Sequence, residues 1–276
     1  MIRTLTLFAL TLVLTPAHAQ PKKLLSPKEF LGYELGERFT RHYRVVEYFQ
    51  HVADVMPNVG ITRYGETYEQ RPLLYAVVTS PDNFEKIDQI RTDNLRRTGL
   101  VDGRPSADRK AIVWLSYNVH GNEANSTEAS MLTLYELANP VNERAQEWLK
   151  NAVVILDPCM NPDGRDRYVN FYNQFGNLPA NPSGDAKEHR ETWPGGRTNH
   201  YLFDLNRDWA WGTQIESKQR LEAYHQWMPH VHVDFHEQGY NNPYFFAPAA
   251  EPFHEVISPC VLYILNLLGA RSIEGK

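Results

Sequence analysis

Ala111-Ile112-Val113-Trp114-Leu115-Ser116-Tyr117-Asn118-Val119-His120-Gly121-Asn122-Glu123 is the stretch on which the fold turns. Its first five residues are apolar without a break, the pattern of a strand buried on both faces of a sheet. A strand with one wet face would carry a polar residue at every second position. Gly121 and Asn122 supply a turn. Thr127 to Leu137 then predicts a helix, with Asn125 or Ser126 as its N-cap.

The same grammar extends in both directions. Downstream, Ala152 to Leu156 reads as a second buried strand, 214–227 as a helix, Val231 to Phe235 as a strand and 252–268 as a helix. Upstream, Val45, Phe49, Val52 and Met56 recur at helical spacing until Pro57 stops them. Ile61 to Tyr64 and Leu73 to Val78 read as strands, and 83–98 as a polar helix. Strands alternating with helices predict a single α/β/α domain with a mostly parallel, mixed central sheet. The length of 276 residues suits one such domain. Residues 20–39 read as a polar lead-in. Residues 158 to about 200, rich in Asn, Pro, Gly and Tyr, read as one long irregular stretch. A loop of that length in a compact domain is usually functional.

Composition removes several classes of function. With 42% hydrophobic and 22% charged residues the chain is neither disordered nor collagen-like. A net charge of −5 gives no basic surplus for nucleic acid, and no polybasic block points to a membrane surface. Two cysteines, Cys159 and Cys260, do not make a disulfide scaffold; they either pair or remain thiols. The first nineteen residues stand apart. Arg3 precedes an apolar run from Leu5 to Leu14, and Ala17-His18-Ala19 is a small-x-small cleavage site. This is the pattern of a signal peptide, too short to span a bilayer. Export to the periplasm or the extracellular space follows, with no membrane anchor and a monomeric state expected.

Four clusters carry chemistry. His120 and Glu123 sit just past a strand end, where ligand sites of open α/β sheets form. His236, followed by Glu237, sits just past another. Two imidazoles and one carboxylate leave one position of a tetrahedral zinc ion open, as catalytic zinc sites do. His232 shares the strand face of His236 but lies deeper in the strand, and is the weaker candidate. Asn161-Pro162-Asp163-Gly164 follows the strand 152–156 and reads as a tight turn. In Phe203-Asp204-Leu205-Asn206-Arg207-Asp208-Trp209, a guanidinium beside an amide suits a carboxylate ligand, unless Arg207 merely pairs with a neighbouring aspartate.

In combination, HxxE, NPDG, a long loop, NR and a strand ending in His resemble the zinc carboxypeptidases of the carboxypeptidase A type, the M14 metallopeptidases. The likeness runs from about residue 40 to the end. Gly65 to Leu73 is similar to the family's early strand–turn–strand segment. Trp193-Pro194-Gly195-Gly196-Arg197 and Tyr244-Phe245-Phe246-Ala247-Pro248 are similar to its exported bacterial branch. The resemblance implies one Zn²⁺ per chain on His120, Glu123 and His236. It implies that Asn206 and Arg207 hold the free α-carboxylate of a peptide substrate. A loop arginine, Arg190 or Arg197, would stabilise the oxyanion. Such an enzyme removes C-terminal residues.

In the family the general base is a glutamate on a strand well beyond the third zinc ligand, whereas Lys276 follows His236 by 40 residues. The chain is therefore expected to be the N-terminal part of such a domain, residues 40–276, without that glutamate and incomplete at its C-terminus. Glu237 would point to the strand face opposite His236, and no spacing places Glu251 or Glu255 at the zinc. Two other functions fit the same residues. One is a catalytically inactive protein that binds zinc and peptides. The other is an amidohydrolase acting on cell-wall peptides.

Overall fold

The computed structural model describes residues 23–239, 255, 257–261 and 263. The signal-peptide reading of 1–19 and most of the 252–268 helix lie outside these residues. The chain divides into two compact units between Phe235 and His236. In the second unit, residues 259–261 and 263 are helical, and the Val261 N–H donates to the Ser258 carbonyl.

In the first unit the strands are β1 (Val59–Glu66), β2 (Pro72–Val78), β3 (Ala111–Tyr117), β4 (Ala152–Asp157) and β5 (Val231–Phe235). The helices are α1 (Pro27–Leu31), α2 (His42–Val55), α3 (Pro81–Phe84), α4 (Ile87–Arg97), α5 (Asn125–Ala138), α6 (Glu143–Leu149), α7 (Pro162–Phe175) and α8 (Ile215–Trp227). The sheet order is β1-β2-β4-β3-β5. β1 and β2 form an antiparallel pair, and β2 lies antiparallel to β4. β4, β3 and β5 run parallel. The sheet is thus mixed, with its parallel part confined to three strands.

Strand alternation sorts the core into two layers. Tyr75, Val77, Ile112, Trp114, Val153 and Ile155 face Ala223 and Trp227 of α8. Leu74, Ala76, Val78, Val154 and Leu156 face Val45, Phe49 and Val52 of α2 and Met131 and Leu134 of α5. Burying each such large side chain contributes about 1.5–3 kcal/mol. From β3 the chain passes through α5 on one face to β4. It then passes through α8 on the other face to β5, which flanks β3 on its opposite side. The carboxyl end of β3 is therefore a switch point, where α/β sheets open a ligand crevice.

The structure corrects four readings. The stretch after β4 is not irregular throughout, because α7 occupies 162–175. Asn161 is its N-cap, accepting the Gly164 N–H at 3.0 Å, and Pro162 takes the first turn, where no N–H is needed. NPDG is thus a helix start rather than a free turn. Neither Asn125 nor Ser126 caps α5. The residue before the helix is Ala124, and the Ser126 hydroxyl donates to the Glu123 carbonyl. The segment 23–38 is not merely polar. Ser26 and Glu29 form a capping box for α1, and Phe30 lies edge-on to Tyr48 of α2. A further element, α6, whose sequence shows no clear period, joins the core through Leu149.

Candidate functional site

His120 and Glu123 project from the turn that leaves β3, and one side chain shapes that turn. Asn118 has φ of 59°, the left-handed region that asparagine tolerates better than most residues. Its buried amide nitrogen donates to the carbonyls of His120 (2.7 Å), Gly121 (3.2 Å) and Glu123 (2.9 Å). Its oxygen accepts from Thr127 and Arg165. Arg165, fully buried, also binds the Ala124 carbonyl and the Glu128 carboxylate. The backbone between the two candidate ligands is thereby tied from inside the protein.

The His120 ring lies between two carboxylates. Nδ1 is 2.8 Å from Glu123 Oε1, and Nε2 is 3.2 Å from Asp204 Oδ1. If Nε2–H donates to Asp204, Nδ1 turns a lone pair towards the Glu123 oxygen. Two acceptors then face each other, which a cation between them reconciles. Imidazole nitrogen and carboxylate oxygen are zinc donors. A carboxylate on the far ring nitrogen is the usual device for orienting a metal-binding histidine. The donor chemistry therefore fits zinc.

Arg197 completes the cluster. Its guanidinium reaches Asp204 Oδ2 at 3.0 Å and Glu123 Oε1 at 3.7 Å, and the side chain is half exposed. Burial would raise the Asp204 carboxyl, but the His120 ring and Arg197 outweigh it and hold it below the usual carboxylate range. Asp204 also accepts the Asn206 N–H at 2.9 Å, closing the turn that carries Asn206 and Arg207.

The two loop arginines are thus separated by position. Arg190 is exposed and pairs with exposed Asp185, whereas Arg197 reaches the carboxylates of Glu123 and Asp204. Arg207 is exposed, and both neighbouring aspartates are engaged elsewhere. Asp204 holds Arg197 and His120, while Asp208 accepts from Thr213 and Gln214 ahead of α8. His232 is half-buried and satisfied, its Nε2 2.7 Å from the Ser116 hydroxyl and its ring against Trp209 and Tyr224. His236 opens the second unit, one peptide bond past Phe235 at the carboxyl end of β5. Phe235 itself stacks on Tyr117, the last residue of β3, with ring centroids 4.3 Å apart. Cys159 and Cys260 are both free thiols. Glu251 lies outside the described residues. Sequence reasoning missed the role of Asp204. Its signal was a carboxylate two residues before Asn206, the spacing of a side chain that caps its own turn.

Comparison with known proteins bears on this arrangement. Carboxypeptidase A from Helicoverpa armigera matches with a TM-score of 0.54 and 18% identity, over 86% of this chain and 54% of its own. A metallo-carboxypeptidase from Burkholderia cenocepacia matches with a TM-score of 0.46 and 18% identity, over 71% of this chain and 40% of its own. The likeness to the Helicoverpa enzyme shows the fold. The chain spans about half the length of that enzyme, and less of the Burkholderia one. The family model of the zinc carboxypeptidases, peptidase M14, matches residues 45–234. That match runs from the second turn of α2 to the penultimate residue of β5, more than half of the chain, and the chain belongs to the zinc carboxypeptidase family.

Proposed function

We propose that this chain binds one zinc ion through His120, Glu123 and His236 and serves hydrolysis of the C-terminal peptide bond of peptide substrates. The observation that carries the reading is the His120 ring held between Glu123 and Asp204, with Arg197 beside both carboxylates. Further support is the place of His236, directly after the strand that pairs with β3. Zinc supplies Lewis acidity to the scissile carbonyl and to a water molecule. Asp204 accepts the Nε2 proton of His120 and keeps Nδ1 a donor to metal. Arg197, rather than Arg190, offers its guanidinium to the carbonyl oxygen as charge develops there. Asn206 and Arg207 receive the substrate's α-carboxylate, for which Arg207 is exposed and unclaimed by either neighbouring aspartate. A carboxylate held beside the metal places the cut one residue from the chain end. The segment 1–19 supports export, which N-terminal sequencing of the secreted product tests.

The deciding experiment is metal analysis with peptide assays. One zinc per chain is expected for the native protein and none for the His120→Ala/His236→Ala double variant. Full occupancy in the double variant would overturn the ligand assignment. A domain that also carries the family's general-base glutamate is expected to release C-terminal residues from free-acid peptides, but not from amidated ones. Zinc without turnover would indicate a binding protein, and turnover confined to cell-wall peptides an amidohydrolase.

A further inference from the structure

The Asn161-Pro162-Asp163-Gly164 motif touches neither His120 nor Arg197 through their side chains, yet it lies beneath both. Asn161 is buried, and its two ends do different work. The oxygen caps α7 through the Gly164 N–H. The amide nitrogen donates to two carbonyls from separate parts of the chain: Val119, the residue before His120, at 3.3 Å, and Arg197 at 3.1 Å. The Arg197 carbonyl also accepts the Gly121 N–H at 3.3 Å. One amide group therefore joins the turn that bears His120 and Glu123 to the backbone that bears Arg197.

Three glycines let these backbones meet. A Cβ on Gly121 would collide with the Gly164 and Arg165 backbone and with the Gly196 carbonyl. A Cβ on Gly164 would strike the Gly196 and Thr198 carbonyls. On Gly196 it would come within 2.5 Å of the Gly164 oxygen and 2.6 Å of Tyr168 Cβ. Arg167, one turn along α7, continues the clamp with bonds to the Gly195 carbonyl at 2.6 Å and the Asn199 carbonyl at 3.3 Å. The helix start, the strand-end turn and the arginine segment are thus packed backbone to backbone, with Asn161 the side chain that bonds to all three.

We propose that Asn161 is a positioning residue. Through its amide it sets the separation between the His120–Glu123 turn and Arg197, so that the metal-binding pair and the cation beside it are held as one body. The zinc arm of this inference rests on the ligand assignment above; the loop arm does not.

Asn161→Ser tests it in the full chain. Serine keeps an oxygen that caps α7 and removes both amide donors. Two measurements are made: zinc affinity by competition with a chelator, and the rate of trypsin cleavage after Arg197 in the metal-free protein. Zinc affinity should fall about 10–100-fold, as for other partners that orient metal ligands. Cleavage after Arg197 should speed up about tenfold. Gly196→Ala, which pushes the same segment away from Gly164 while leaving Asn161 intact, should change both in the same direction. It serves as the test if the serine variant does not fold. Val52→Ala in α2 is the control for simple loss of stability. It should lower the unfolding midpoint and leave both readouts unchanged. His120→Ala should abolish zinc binding without altering cleavage. If the native chain binds no zinc, the ligand assignment fails and cleavage alone decides. Zinc affinity and cleavage rate both within about twofold of native, in whichever of the two variants folds, would overturn the proposal.

Discussion

The two faces of the sheet are built on different principles. On the face covered by α2 and α5, Ala76, Val78, Val154 and Leu156 meet Phe49, Val52, Met131 and Leu134, an apolar layer. On the face covered by α8 the apolar residues share space with a buried polar group. Tyr64 donates to Asp157 at 2.8 Å, and Ser116 pairs with His232. The Arg220 guanidinium lies 3.7 Å from the centre of the Trp209 ring and reaches the Leu205 carbonyl at 3.4 Å. Leu205 sits inside the turn from Asp204 to Asn206. The apolar face therefore supplies stability, and it touches the site only where the first turn of α5 bonds through Thr127 to Asn118 and through Glu128 to Arg165. The polar face supplies direction through Arg220, whose contacts end on the loop that holds His120 and is proposed to hold the substrate.

The sharpest way to break that contrast is to damage the apolar face. Leu156 is fully buried between Ala76 and Leu115, its neighbours across the sheet. Leu156→Ala should cost about 2–5 kcal/mol, read as a lower denaturant midpoint. Zinc affinity of the folded fraction should stay at the native value. A parallel loss of zinc affinity would show that the apolar layer also sets the site.

On the other face, burial pushes the Asp157 carboxyl up to about 7, although its Tyr64 bond and nearby Arg220 oppose the shift. Between about pH 4 and 7 the unfolded chain gives up this proton while the folded protein keeps it. The contribution of Asp157 to stability is therefore complete at low pH and declines as pH rises through that window, by at most about 4 kcal/mol. Asp157→Asn, which still accepts from Tyr64, should remove the decline. The test is the difference between native and variant stability across pH 4–8, in which the other titrating groups cancel. A constant difference would mean that Asp157 is ionised in the folded protein.

Asp204 lies where the polar face reaches the site. Asp204→Asn keeps an acceptor for His120 Nε2 but removes the charge that raises the basicity of the ring and pairs with Arg197. Zinc affinity should fall about 10–100-fold, or about 1.4–2.7 kcal/mol, in chelator competition. An unchanged affinity would reduce Asp204 to a turn-former for Asn206.

What was legible in the sequence follows from the same contrast. β2, β3 and β4 stand out as apolar runs because burial selects composition directly, and β5 as a short alternation of apolar residues with His232 and Asp234. α2 and α8 follow from periodicity and length. The candidates His120, Glu123, Asn206 and Arg207 can be marked because motif spacing keeps each pair together in the chain. The joins between loops are not visible. Asn118 bonds within its own turn, but Asn161 bonds to Val119 and Arg197, and Asp204 to His120, across 36 to 84 residues. No local pattern encodes such separations. α7 was obscured because NPDG has turn chemistry, and an N-cap with a first-turn proline is written in the same residues as a turn.

The smallest expected effect separates the two arginines that spacing left equivalent. Arg190 and Asp185 are both exposed, and an exposed pair of this kind contributes little to stability. Arg190→Ala should leave the unfolding midpoint, zinc affinity and any peptide turnover within experimental error of native. Arg197→Ala removes the cation shared by Asp204 and Glu123 while sparing its own backbone carbonyl, the acceptor for Asn161 and Gly121. It should therefore leave the fold intact and reduce turnover by about 10²–10³-fold, the range for loss of one oxyanion donor. In a preparation without turnover, the variant should still perturb the nuclear magnetic resonance signals of the His120 ring, and Arg190→Ala should not. Turnover lost in Arg190→Ala and kept in Arg197→Ala would reverse the assignment. The segment around Asp185 would then have to close over the substrate before the reaction.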